Sequence, residues 1–132
     1  MATKPIIFFE GTLYKVELAQ QDRGRSKVKK FLDELKATDK RRAAKITSLV
    51  HSYASSGRIE NDQQFKKLKG GNKLYEFKDF QVRVLMYHCG PGVIALTHGF
   101  KKKDDNTPQV EIDRGENISN EYDKIRKGFK DV

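Results

Sequence analysis

Glu76 and Lys78 alternate with Tyr75 and Phe77, and Arg83 and Tyr87 alternate with Val84 and Met86. In extended chain this period of two puts Glu76, Lys78, Arg83 and Tyr87 on one face, away from the apolar side chains. Thr97, Gly99 and Lys101 fall on the same face if the Gly90-Pro91-Gly92 segment is the hairpin loop. Lys66, Lys67, Lys69 and Lys73 flank this face on one side, and Lys102 and Lys103 on the other. A carboxylate set among cations suits phosphodiester cleavage. Arginine and lysine can stabilise a phosphorane whose extra charge develops only in the transition state. A base takes the proton of a ribose 2′-hydroxyl, and an acid protonates the leaving oxygen.

Each of these residues also has a plainer reading. Arg83 could simply pair with Glu76. Lys101, Lys102 and Lys103 could be charges that keep an edge strand from pairing. Lys66, Lys67, Lys69 and Lys73 sit beside the Gly70-Gly71-Asn72 turn, so they suit phosphate contacts better than catalysis. Tyr87 could stack on a base or serve as a core aromatic. His98 falls on the greasy face, opposite Val84, and becomes a candidate general acid only if the register slips by one. His51, His88 and Cys89 lack metal-ligand spacing, so neither a metal nor a cofactor is expected.

The elements that must hold these residues follow from the apolar spacing. Ile6 to Phe9 and Leu13 to Leu18 read as extended segments. Ser26 suits the N-cap of a helix carrying Val28, Phe31, Leu32 and Leu35, and Thr38 or Asp39 that of a second helix carrying Ile46, Leu49, Val50 and Tyr53. Gly57 suits its end. Strands are expected over 73–78, 82–89 and 93–101, with a two-residue loop at Asp79-Phe80. Thr107-Pro108 then suits a helix start, followed by the stripe Ile118, Tyr122, Ile125 and Phe129, with Gly115 as a point of weakness. This order, β(β)ααβββα, predicts an α+β fold in a single domain, 1–132, with the helices on one face of an antiparallel sheet.

Lys and Arg total 27 against 18 for Asp and Glu, a formal net charge of +9. Such a surplus favours a polyanionic partner, most simply RNA or DNA. The single cysteine, Cys89, excludes an internal disulfide and suits a reducing cytoplasm. The apolar run near the N-terminus is too short for a membrane span or a signal peptide.

Several blocks, in order, resemble the HigB-like branch of the RelE/ParE toxin superfamily. They are Phe31-Leu32-Asp33-Glu34-Leu35, Lys67-Leu68-Lys69-Gly70, Leu74-Tyr75-Glu76-Phe77-Lys78 and Arg83-Val84-Leu85-Met86-Tyr87. The most diagnostic runs Leu96-Thr97-His98-Gly99-Phe100-Lys101-Lys102-Lys103, with Thr107-Pro108 and Glu111-Ile112 after it. The resemblance implies a RelE-like fold and a type II toxin that cleaves mRNA without a metal, at the ribosome or free of it, held in check by a cognate antitoxin of helix-turn-helix type. It matches Arg83, Glu76, Lys78, Lys102 and Lys103 to functional positions of the family. Taken with the residue reading above, Arg83, Glu76, Lys101 and Lys102 are expected to be catalytic, and Lys66, Lys67, Lys69, Lys73, Lys78, Lys103 and Tyr87 RNA-binding. Lys78 stands where the family has arginine, keeping the charge without the planar fork. No tyrosine stands just after the last strand, where some relatives carry a catalytic one. Two alternatives stay open: a catalytically silent binding module on the same fold, and a gyrase-directed toxin.

Overall fold

Ser26 and Asp39 cap the first two helices. The Ser26 hydroxyl accepts from the Lys29 amide at 3.3 Å, and Asp39 Oδ1 accepts from the Arg42 amide at 3.2 Å. Helix α1 therefore runs Lys27–Thr38 and α2 runs Lys40–Ser56, stopping at Gly57, whose φ of 78° is left-handed. These elements come from a computed structural model that describes residues 4–70, 72–104 and 106–129. Gly71, in the expected turn after the lysines, lies outside the described residues.

Six strands form one sheet: β1 (Ile6–Glu10), β2 (Lys15–Leu18), β3 (Phe65–Lys67), β4 (Tyr75–Asp79), β5 (Val82–Gly90) and β6 (Val93–Lys101). Their order is β1-β2-β6-β5-β4-β3. All neighbours are antiparallel except β2 and β6, which run parallel. Helix α3 (Gln109–Lys127) closes the chain. The α+β class and the central meander are as expected. Strand β3 is an addition to the expected order, and the parallel pair is a departure from an all-antiparallel sheet.

The helices occupy both faces of the sheet, not one. Under α1 and α2 lie Val16, Val28, Leu35, Ile46, Val50, Phe77, Val84, Met86 and Leu96. Under α3 lie Leu74, Leu85, Tyr87, Ala95, Ile112, Ile118 and Tyr122. The side of β5 that begins with Arg83 turns apolar at Leu85 and Tyr87, and each such side chain left uncovered would forgo about 1.5–3 kcal/mol. Helix α3 covers them. Its C-terminal half is anchored on Glu17, which is fully buried on β2. Tyr122 donates to Glu17 Oε1 at 2.7 Å, and Arg126 Nε donates to the same oxygen at 2.9 Å.

The turn between β4 and β5 is Phe80-Gln81, since Asp79 pairs with Val82. This slides the expected pairing by two residues and leaves the faces unchanged, so Lys78 sits across from Arg83. On β6 the register shifts by one. Met86 pairs with Leu96, as expected, but Leu85 pairs with His98, Val84 with Gly99 and Arg83 with Phe100. Thr97 is the extra residue of this bulge, and an extra residue reverses every side chain beyond it. His98 and Phe100 therefore face α3, whereas Gly99 and Lys101 face α1, the reverse of the sequence expectation. A Cβ on Gly99 would lie 2.3 Å from the Phe31 ring, so glycine here lets α1 rest on the sheet.

Helix α3 passes unbroken through Gly115. A Cβ there would lie 2.8 Å from Leu74 Cδ1 and 3.4 Å from His98 Cε1, both residues being buried. Gly115→Ala is expected to destabilise the protein. Overpacking costs about 1–3 kcal/mol, against roughly 1 kcal/mol gained in helix propensity. A lower urea midpoint at unchanged slope is the expected reading; a raised midpoint would show that the sheet yields easily at this point.

Candidate nucleic-acid interface

Beyond the reach of α3, the same sheet face carries Lys66, Glu76, Lys78 and Arg83. Lys66 pairs across from Glu76, and Lys78 across from Arg83. The chain leaves β6 at Lys101, crosses over Arg83 and reaches Thr107 above Glu76. Arg83 Nη2 donates to the Asp104 carbonyl at 2.9 Å, and Nη1 to the Phe80 carbonyl at 2.6 Å. The Thr107 hydroxyl donates to Glu76 Oε2. Arg83 Nε stands 3.8 Å from Glu76 Oε1 as an ion pair, and neither atom has a hydrogen-bond partner among the described residues. The cluster thus ties together the β4–β5 turn, where Phe80 has a φ of 53°, and the crossing segment.

This corrects the view of Arg83 as a side chain on an open face. Arg83 is 1% exposed and Glu76 0%. The guanidinium spends its terminal nitrogens on backbone carbonyls. Its charge is paired with the Glu76 carboxylate and does not touch solvent.

What does face solvent is a groove of about 380 Å³ between β3 and the start of α3. Lys66, Lys67 and Lys69 line one wall, and Asn106, Thr107 and Gln109 the other. Thr107 belongs both to the groove and to the buried Glu76 cluster, so the two are one structure. Thr107 does not cap α3 with its side chain, contrary to expectation, because its hydroxyl is engaged by Glu76. Lys102 stands at the near end of the crossing segment, with Nζ 3.7 Å from Asp104 Oδ2, and Lys103 is exposed beside it. Lys78 is mostly buried, its Nζ 3.4 Å from Gln63 Oε1.

Three expected members stand elsewhere. Lys101 lies on the α1 side, next to Phe31 and Thr38. Lys73 reaches Asp123 and Asn120, each at 3.2 Å, under α3. Tyr87 is buried beneath it and donates to Asp123 Oδ1 at 2.8 Å, so it presents no ring to a base. Burial, with Asp123 alongside, pushes its phenol well above the ordinary tyrosine range.

The shifted register gives His98 a task that the sequence reading did not assign. It is 3% exposed, with Nε2 3.2 Å from Glu111 Oε1 and Nδ1 3.1 Å from Thr97 Oγ1. Arg114 Nη1 donates to the same Glu111 oxygen at 2.5 Å. Burial lowers the imidazole pKa to about 4, against the upward pull of Glu111. A neutral His98 therefore fastens the bulge to the first turn of α3, next to the groove wall. The sequence signal for Thr107, Glu111 and Arg114 was their place after the last strand, with nothing to mark Glu111 and Arg114 as partners of His98.

Among the described residues no group of three His, Cys, Asp or Glu side chains could hold a metal ion. Burial pushes the Cys89 thiol up to about 12, which leaves it a small apolar group. No helix is long and apolar enough to cross a membrane.

A six-stranded, mostly antiparallel sheet with two helices on one face and one on the other is compatible with a RelE-like fold. The family model described as phage-derived protein Gp49-like (DUF891) matches residues 33–120, two thirds of the chain, and the chain belongs to that family. The family is part of the RelE/ParE-like superfamily, commonly serving as the toxin of toxin–antitoxin systems and so implying a cognate antitoxin. No curated protein matches the chain.

Proposed function

We propose that this chain is a type II toxin of the HigB-like branch that cleaves mRNA at the ribosome without a metal, in the cytoplasm, and that a helix-turn-helix antitoxin restrains it. The observation that carries this reading is the groove in which three lysines face Thr107 directly above the Glu76–Arg83 pair. RNA backbone lies along the lysines. Lys102 and Lys103 extend the cationic rim that favours the phosphorane. Arg83 and Glu76 serve here as positioning residues, holding Thr107 and the crossing segment in place. The attacking group is the ribose 2′-hydroxyl, so one product end carries a 2′,3′-cyclic phosphate.

Cleavage of mRNA by the purified protein, with and without ribosomes, tests this directly. The cyclic phosphate end is expected in the presence of EDTA, and a magnesium requirement in the chemical step would remove the metal-free mechanism. If Lys66, Lys67 and Lys69 meet phosphates, replacing each by alanine should lower the slope of log affinity against log salt by about 0.7 for single-stranded RNA. Fluorescence anisotropy across a salt series measures it, and an unchanged slope in the triple variant takes the groove out of the interface.

The burial of both Arg83 and Glu76 favours a second reading, a module that binds nucleic acid or a partner without chemistry. It predicts RNA binding with the same salt slope and no cleavage under any of these conditions.

A further inference from the structure

On the α2 side of the sheet, at the opposite margin of β3 from the groove, a set of aromatic rings surrounds one exposed imidazole. His88 lies near the end of β5, exposed to solvent. Three tyrosines from three elements close around it: Tyr14 before β2 at 5.2 Å, Tyr75 of β4 at 5.6 Å and Tyr53 of α2 at 6.1 Å between ring centroids. The interplanar angles are 72°, 78° and 65°, so none of the three lies parallel to the imidazole. Tyr53 Oη and His88 Nε2 share a hydrogen bond at 3.1 Å, which fixes the orientation of the ring. Phe65 stacks on Tyr75 at 5.6 Å and 4°. The packing of the core thus fixes the rings, and among the described residues the outermost one has no ring stacked on it.

The charges point to the kind of molecule that would stack there. Lys67 Nζ sits 5.1 Å from the Tyr75 ring centroid, and Lys67 also lines the groove. One lysine therefore borders both the phosphate-binding wall and the aromatic set. Strand β3, which separates them, is three residues long and stands at the sheet edge. A bound polyanion with flat, uncharged rings attached along it matches both halves. Partial desolvation by the surrounding rings lowers the His88 pKa, and burial raises that of Tyr53 to about 12, so both rings are uncharged at neutral pH.

We propose that His88, framed by Tyr14, Tyr53 and Tyr75, is a stacking platform for an unpaired base of single-stranded RNA whose backbone crosses the β3 edge from the lysine groove. Every base has a π-face, so the platform is tolerant of sequence, and its contribution is apolar and dispersive. It rests on the RNA-directed reading and extends the interface past the groove to the other side of the sheet.

The test uses the full chain and a single-stranded RNA oligonucleotide carrying 2-aminopurine, whose fluorescence falls when it stacks. Wild type should quench the probe. His88→Ala should abolish the quenching and weaken binding about tenfold, the scale of one lost base–aromatic contact. Its salt slope should not change, because no cation has been removed. His88→Phe should restore both quenching and affinity, which separates stacking from a hydrogen-bonding or proton-transfer role. Tyr75→Leu should resemble His88→Ala. Normal affinity and normal quenching in His88→Ala would overturn the platform while leaving the RNA reading in place. If wild type binds no RNA at all, the RNA reading falls and the platform falls with it.

Discussion

Replacing Arg83 by alanine is expected to lower the unfolding free energy by about 3–5 kcal/mol, the size of the effect when one partner of a buried ion pair is removed. The sequence suggests instead a rate defect in a protein of normal stability, because Arg83 reads as a transition-state donor on an open face. The structure reverses the order of the two effects. The guanidinium is enclosed, holds two backbone carbonyls from separate segments and stands against a carboxylate that is itself fully buried. Removing it strands Glu76 and frees the Asp104 and Phe80 carbonyls together. The double variant Arg83→Met/Glu76→Met should recover much of the loss, since an apolar pair of similar volume replaces both charges. Urea unfolding of the two singles and the double, analysed as a mutant cycle, gives the coupling. An Arg83→Ala protein with an unaltered midpoint would mean that the pair does not hold the crossing segment.

The second large effect is a dependence of stability on pH. His98 has a pKa of about 4 when folded, against 6.5 when free, because burial disfavours its charged form. Between those values the unfolded chain binds more protons than the folded one. The stabilisation is therefore complete above pH 6.5 and is lost as pH falls toward 4, to a total of about 3 kcal/mol. Carboxylates contribute to acid unfolding as well, so the informative quantity is the difference from His98→Gln. That variant should be less stable than wild type at pH 7, should lose less on acidification, and should approach wild type near pH 4. Parallel curves for the two proteins would show that His98 titrates normally and that its link to Glu111 is weak.

How far the sequence led depends on what each residue could signal by itself. Ser26, Asp39 and Gly57 act locally, through their own hydrogen bonds or φ, and their helices fall where these residues put them. The alternation of Tyr75, Phe77, Val82, Val84 and Met86 gave the faces of β4 and β5 correctly, even though the turn lay elsewhere, because a shift of two residues preserves parity. Thr97 carries no such mark. A β-branched residue in a strand looks the same whether paired or bulged, and this one reversed the sides of His98, Gly99, Phe100 and Lys101. The place of Glu17 was equally hidden, since its partners Tyr122 and Arg126 lie more than a hundred residues further on. Of the basic residues, Lys66, Lys67 and Lys69 came together as the sequence suggested, with Lys66 across from Glu76. Lys73 went under α3, because Asp123 and Asn120 of that helix offered it partners.

The parallel pairing of β2 with β6 has a consequence for how the chain comes to be folded. A strand at 15–18 takes as its neighbour one at 93–101, so the sheet joins segments far apart in sequence. The meander β4-β5-β6 can assemble from contacts close in sequence, but β1 and β2 have nowhere to dock until β6 is in place. Loop closure over such a span slows folding relative to local pairing. On a translating ribosome the first sixty residues can form their two helices and the β1–β2 pair, but none of the four strands that complete the sheet. The groove wall at 106–109 and the helix that covers Leu85 and Tyr87 emerge later still. Whatever this protein does through that groove, it begins only once the chain has been made past the groove wall at 106–109 and the helix behind it.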